Sequence, residues 1–347
     1  MARHSSSLRI LSLDGGIVTS VNVRLLRRFE AQRPGVIASA DLLAGTSDGA
    51  LAALFLSARS GAEPGRDLRA LDECIAFLEE VVSVFHLRAR TLANFAMGRG
   101  PRTLAANLRS VFERHLGSRT LGDLHAEGKK LLVLAVDKQT WRRRTFRSFD
   151  FESDADRTRT LVDVALACTA FPVALPAHRS EADGREYLDG ALVTNNPSLV
   201  AVREALAHLQ AGQEGHEGLD ALTLLSLGGT ESSAGRDSEP RQGLLSWLPP
   251  TLDRFGFAGW SQLLTRFAYL PDFLIQGSVD IIDLQCADLL GPRYRRVRPS
   301  IPELDYFLSL ALPPGYLKGR LDEAALRCSN SISEELAWLD THWLPSA

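Results

Sequence analysis

Residues 43–51 read LAGTSDGAL, a serine set between two glycines, with an apolar run before it and an alanine- and leucine-rich stretch after it. A serine hydroxyl becomes a useful nucleophile only when a base takes its proton and donors hold the oxyanion that forms. The pentapeptide Gly45-Thr46-Ser47-Asp48-Gly49 suits that use. Its glycines let neighbouring backbone approach, and Ser47 stands at a helix start, where free N–H groups and the helix dipole favour negative charge. Taken alone, the segment is equally compatible with a plain glycine turn. Two others bear on it. Leu13-Asp14-Gly15-Gly16 offers successive backbone N–H groups as an anion nest, and Leu188-Asp189-Gly190-Ala191 places a carboxylate at the end of an apolar run.

Elements must exist to bring these pieces together. Residues 8–13 (LRILSL) are short and apolar and end at Asp14-Gly15-Gly16, as a strand running into a turn does. Residues 41–44 form a second such run, and 50–58 predict a helix. Helical apolar spacing recurs over 21–30, 68–85 and 104–116, with a Gly/Arg/Pro break at 98–102. Residues 130–136 and 222–227 carry little polarity, as strands do when both sheet faces are covered. A helix over 161–170 stops before Pro172, a short strand ends at 187–190, and Asn195-Asn196-Pro197 opens a helix to about Leu209, with Asn as cap and Pro in the first turn. A late strand is predicted at 294–297, a final helix over 323–343, and a mobile polar loop over 230–243. Strands alternating with helices predict an α/β sheet, whose strand ends gather at one crevice.

The 347 residues are 45% hydrophobic and carry 39 Lys+Arg against 42 Asp+Glu, a net charge of −3. That balance gives no reason to expect a nucleic-acid partner. Cys74, Cys168, Cys286 and Cys328 are far apart and form no Cys-x-x-Cys pair, so they read as reduced core thiols rather than metal ligands or disulfides. No window approaches the ~18 apolar residues of a membrane-spanning helix, and no signal peptide precedes the first strand. A cytoplasmic protein is the expectation, with peripheral membrane contact as a variant of it.

The three motifs in this order resemble the patatin-like phospholipase family, whose members carry an Asp-Gly-Gly-Gly-x-Arg/Lys-Gly loop, a Gly-x-Ser-x-Gly elbow and a later Asp-Gly-Gly/Ala. Here they stand as Asp14-Gly15-Gly16-Ile17-Val18-Thr19-Ser20, Gly45 to Gly49, and Asp189-Gly190-Ala191. The flanks ALACTAFP, Asn195-Asn196-Pro197 and Leu225-Ser226-Leu227-Gly228 are similar too, so the likeness spans roughly residues 8–229. It implies a three-layer α/β/α fold with a mostly parallel central sheet. Residues 1–243 would form the catalytic domain, and 244–347 a mostly helical C-terminal extension packed on it. It further implies a Ser–Asp dyad: Ser47 attacks an acyl ester, Asp189 serves as base, and an acyl-enzyme is then hydrolysed. Gly15, Gly16 and Ile17 would form the oxyanion hole and Gly45 and Gly49 the nucleophile elbow. No metal or organic cofactor is implied, and the expected partner is a lipid or acyl-ester substrate.

The sequence departs from that pattern at Ile17 and Thr19. A β-branched residue resists the positive φ that glycine adopts freely, so the loop is either redrawn or impaired. Arg9 is one candidate to replace the missing basic residue. Acyl transfer, thioester processing and a degenerate binding member are the alternatives these changes leave open. Asp48 reads first as a helix-start acid, worth ~0.3–1 kcal/mol, and second as a charge near the reaction centre that raises the pKa of Asp189. A Ser-Asp-His order remains available through His208, His216 or His342, and His178 is a candidate for lining the site. Residues 141–147 (WRRRTFR) read as a solvated strand face, with docking to lipid phosphates as the alternative. The aromatic-rich stretch 255–260 and residues 263–275 read as core, with a lid as the alternative.

Overall fold

The structure is a computed structural model that describes residues 7–16, 18–61, 63, 65–85, 100–172, 174–209, 218–229, 278–299, 319, 321–326 and 332–344. Ile17, His216, Cys328, the loop at 230–243 and the aromatic stretches at 255–260 and 263–275 lie outside the described residues.

Among the described residues, eight strands form one mixed sheet. β1 (Leu8–Leu13), β2 (Leu42–Thr46), β3 (Leu131–Asp137), β7 (Leu222–Leu227) and β8 (Tyr294–Val297) run parallel in the spatial order β3-β2-β1-β7-β8. β4 (Arg142–Arg147) and β6 (Glu186–Asp189) are antiparallel to β3, and the two-residue β5 (His178–Arg179) is antiparallel to β6. The central strands are buried along their whole length because helices cover both faces, which explains their near-continuous apolar runs. Alternate residues go to opposite sides: Leu11, Leu13, Leu43 and Val133 face one apolar cluster, while Ile10, Leu42, Ala44 and Leu134 face the other.

The first face is covered by α1 (Val18–Gln32), α2 (Asp48–Arg59), α3 (Arg66–Val84), α4 (Gly100–Leu116) and α7 (Leu161–Cys168), the short helices α5 (Leu121–Ala126) and α6 (Asp154–Thr158) lying between α4 and α7 in the chain. The second carries α8 (Ser198–Glu204), extended by a π-turn over Ala205–Leu209, and residues 278–290. α4 begins at Gly100 with Pro101 in its first turn, so part of the predicted break is a helix start. Pro197 is the cap of α8, one position later than the sequence suggests, and the Asn196 side chain accepts from the Ser198 N–H at 3.0 Å.

Among the described residues the C-terminal region is mainly helical, and its strand β8 joins the sheet beside β7. Its last described stretch returns to the start of the chain. Trp343 is buried and donates to the Val36 carbonyl at 2.8 Å, and Arg33 grips Asp340 at 2.6 and 2.9 Å. Cys74, Cys168 and Cys286 are buried thiols. Among the described residues no helix is long and apolar enough to cross a membrane.

The basic run becomes β4, yet it is not simply a solvated face. Arg144 pairs with Asp156 at 2.6 Å and with Glu152, while Arg147 and Arg143 share the buried Glu204 at 2.6 and 3.3 Å. These three guanidinium groups are neutralised within the fold, which removes them as a ready docking surface for lipid phosphates.

Candidate active site

β3 is the rail on which the site is built. Residues 131–134 of β3 pair with β2 and residues 135–137 pair with β6, while β4 occupies the other edge along 132–137. β2 and β6 therefore run toward each other along one edge. Thr46 sits opposite Leu134 and Asp189 opposite Ala135, adjacent positions on β3. The residue after Thr46 is Ser47, so pairing register alone brings a hydroxyl and a carboxylate together. The Ser47 Oγ donates to Asp189 Oδ2 at 2.8 Å.

Ser47 sits at φ 52°, ψ −126°, a conformation that costs a non-glycine residue about 1–3 kcal/mol. Packing holds it there. A Cβ on Gly45 would lie 2.3 Å from the Gly49 carbonyl oxygen, and one on Gly49 would lie 2.2 Å from that of Leu13. These contacts are backbone against backbone, so neither glycine has room for a side chain. They lock the turn between β2, β1 and the first turn of α2.

Asp189 is 1% exposed. Burial pushes its carboxyl up to about 7, even though the Ala191 N–H, at 2.8 Å, and the Ser47 hydroxyl both favour the ionised form. The nearby Asp48 adds to the rise. Asp48 itself is half-buried and pushed up to about 6 by desolvation. It is the first residue of α2, as a helix-start acid should be, but its charge also reaches Asp189. Both sequence readings of this residue therefore hold. Removing that charge lowers the cost of ionising Asp189. The Asp48→Asn variant is expected to carry the acid limb of its kcat/KM–pH profile to lower pH than wild type, and an unmoved limb contradicts the coupling.

The glycine loop is arranged differently from expectation. The Gly15 N–H donates to the Asn195 carbonyl at 3.2 Å, and the Asn195 side-chain amide returns a bond to the Gly15 carbonyl, also at 3.2 Å. Gly15 is thus clamped, and its N–H is already used. It serves instead as a spacer: a Cβ there would lie 2.5 Å from Asn195 Oδ1 and 2.7 Å from the Ser47 Cβ. Gly16 is at φ 94°, half-buried, and no hydrogen bond takes up its N–H among the described residues. Its carbonyl accepts from the Thr19 N–H at 2.9 Å, and the Thr19 hydroxyl donates to the Asp14 carbonyl at 2.8 Å. Thr19 thus braces the loop from below.

The other candidates fall away from this centre. His178 bonds Asp163 at 2.7 Å, His208 bridges Asp150 and Glu204, and His342 stacks on Trp338. Among the described residues no histidine bonds to Ser47 or Asp189. Arg9 lies at the opposite end of β1 from Asp14, where its backbone N–H meets Asp41 at 2.8 Å. No cluster of His, Cys, Asp and Glu able to hold a metal occurs among the described residues. The sequence reading missed Asn195 as a clamp, having taken it as part of a helix cap. It also missed Arg296, whose guanidinium meets Asp14.

Comparison with known proteins gives a consistent result. The family model described as Patatin-like phospholipase matches residues 11–202. A cGAMP-activated phospholipase of Pseudomonas aeruginosa is 29% identical over 293 residues, covering 83% of this chain and 77% of the relative. Patatin-like protein 2 of Arabidopsis thaliana is 24% identical over 289 residues, covering 74% and 70%. Probable inactive patatin-like protein 9 of the same plant is 30% identical over 252 residues, covering 66% and 62%.

Proposed function

Since the chain belongs to the patatin-like phospholipase family and is a lipid acyl hydrolase, we propose that it cleaves acyl esters of phospholipids or lysophospholipids through a Ser47–Asp189 dyad. The 2.8 Å bond between a strained serine and a buried carboxylate carries this reading. Asp189 takes the hydroxyl proton as Ser47 Oγ attacks the ester carbonyl. The Gly16 N–H, held open by the clamp on Gly15, stabilises the oxyanion, assisted by the unpaired first N–H groups of α2. Collapse expels the alcohol, which takes the proton from Asp189, and leaves an acyl group on Ser47. Water, deprotonated by the same carboxylate, then releases the fatty acid. A carboxyl near 7 is half ionised at neutral pH and still basic enough to accept a proton, the compromise a general base needs.

Leu192 and Val193, 46% and 44% exposed, follow Asp189 by three and four residues. They offer apolar surface beside the dyad to an acyl chain. The strain at Ser47 disfavours a purely binding role, because a protein with no nucleophile to present has no use for a serine at φ 52°.

The name of the Pseudomonas relative describes activation by cGAMP, so the assay covers both conditions. Phospholipid vesicles are incubated with purified protein, with and without cGAMP, and products are identified by mass spectrometry. Free fatty acid and lysophospholipid are expected in at least one condition. Transfer of the acyl group to an added alcohol without fatty acid release contradicts hydrolysis, as does the absence of both products together with inertness toward p-nitrophenyl esters.

A further inference from the structure

We propose that Arg296, carried to the site by β8, is a positioning residue that holds the oxyanion loop through Asp14. Its guanidinium forks the Asp14 carboxylate, Nη1 to Oδ1 at 3.0 Å and Nη2 to Oδ2 at 2.6 Å. Both groups are buried: the Asp14 side chain is fully covered and that of Arg296 nearly so. Nη1 also donates to Ser226 Oγ at 2.6 Å, and Ser198 Oγ joins that hydroxyl to Ser12 Oγ at 2.9 Å on each side. One network thus ties β1, β7, β8 and α8 together directly beneath the loop.

Asp14 is the residue before Gly15-Gly16, and its backbone is fixed at both ends. Its N–H donates to the Leu227 carbonyl at 3.0 Å, and its carbonyl accepts from Thr19. Gly228 makes the approach possible, since a Cβ there would lie 2.2 Å from the Asp14 Cβ. The cation that pairs with Asp14 comes from 282 residues further along the chain and from outside the matched residues 11–202. Without it, a buried carboxylate is left uncompensated one step from the clamped glycine. The carboxylate then either takes up a proton or draws the loop toward water, and in both cases the two-pronged hold on residue 14 is lost. A displacement near 1 Å at a catalytic group costs about 10²-fold in rate.

This inference rests on the hydrolase reading for its kinetic arm, so the test also has an arm that needs no activity. Arg296→Met, Arg296→Lys and the double variant Asp14→Asn/Arg296→Met are compared with wild type by ester kinetics, thermal unfolding and hydrogen exchange of peptides spanning residues 13–20. Arg296→Met is expected to lose about 10²-fold in kcat with little change in KM, and Arg296→Lys to recover part of that. The double variant, which removes both charges, is expected to recover the unfolding midpoint but not kcat, and to exchange amides 14–16 faster than wild type. A folded double variant with kcat within tenfold of wild type and unchanged exchange at 14–16 overturns the proposal, because the pair would then matter to stability alone. Should Arg296→Met fail to fold, the double variant decides. If wild type hydrolyses no ester, the hydrolase reading fails, and the exchange comparison still decides on Arg296.

Discussion

Replacing Ser47 with alanine is expected to lower acyl-ester hydrolysis by on the order of 10⁴-fold or more while the protein stays folded. The hydroxyl is the atom aligned with Asp189, and the comparable loss in other serine hydrolases removes nearly everything the catalytic groups contribute together. Alanine keeps the Cβ that packs beside Gly15, so the turn itself has no cause to rearrange. It also keeps the positive φ and its strain. Ser47→Gly relieves that strain and is expected to unfold at a higher temperature than Ser47→Ala, by an amount corresponding to about 1 kcal/mol. Losing the serine bond removes one of the two contacts that favour ionised Asp189, so its pKa moves further up in both variants. Ester kinetics with an unfolding midpoint for each variant check all of this. A folded Ser47→Ala protein with more than about a hundredth of wild-type activity contradicts it.

Asp189→Asn is expected to cost about 10³–10⁴-fold in kcat, the scale seen when a catalytic aspartate becomes an amide of the same shape. The geometry has room for the exchange. The amide oxygen can still accept from Ala191, and its nitrogen can donate to Ser47, which reverses the direction of the hydrogen bond and leaves no base. Stability should move the other way. In the unfolded chain Asp189 ionises near 3.8, whereas in the fold burial holds it near 7. Below about pH 4 both states are protonated and the group costs nothing. Between 4 and 7 the unfolded chain releases a proton that the fold retains, so wild-type stability falls as pH rises, by a total on the order of 4 kcal/mol from this group. Above 7 the deficit is complete and flat. Asparagine does not titrate, so the variant should gain on wild type between pH 4 and 8 while remaining inactive. Denaturant titrations across that range check the sign, and parallel curves for the two proteins contradict it.

Much of the scaffold is legible in the chain. The apolar runs at residues 8–13 and 222–227 became β1 and β7 at those bounds, because strands covered on both faces announce themselves by composition, and the late strand expected at 294–297 (YRRV) became β8. The serine turn is legible for a similar reason: only glycines at 45 and 49 fit the close backbone approach seen there. Pairing is not legible in this way. Nothing in residues 131–137 says that one edge of β3 serves β2 first and β6 next, yet that division sets Ser47 against Asp189. Partners distant in sequence are hidden for the same reason. Asn195 looks like a helix cap until Gly15 is beside it, and Arg296 is one more charge on a late strand until Asp14 is found under it. Burial escapes as well. Asp48 is correctly placed as a first-turn acid, but its desolvation, and through it the coupling to Asp189, depends on packing that composition does not reveal. The consecutive arginines of β4 suggested solvent, whereas Glu204 and Asp156 were waiting in neighbouring elements.

The most direct test is chemical capture of the nucleophile. Folded protein is treated with a fluorophosphonate across pH 5–9, and the adduct is located by peptide mass mapping. The expected result is one phosphonyl group per chain, on Ser47, forming at a rate that climbs as Asp189 ionises through about pH 7. Modification that lands elsewhere and survives Ser47→Ala, or a folded wild-type protein that takes up no label at any pH, contradicts the dyad.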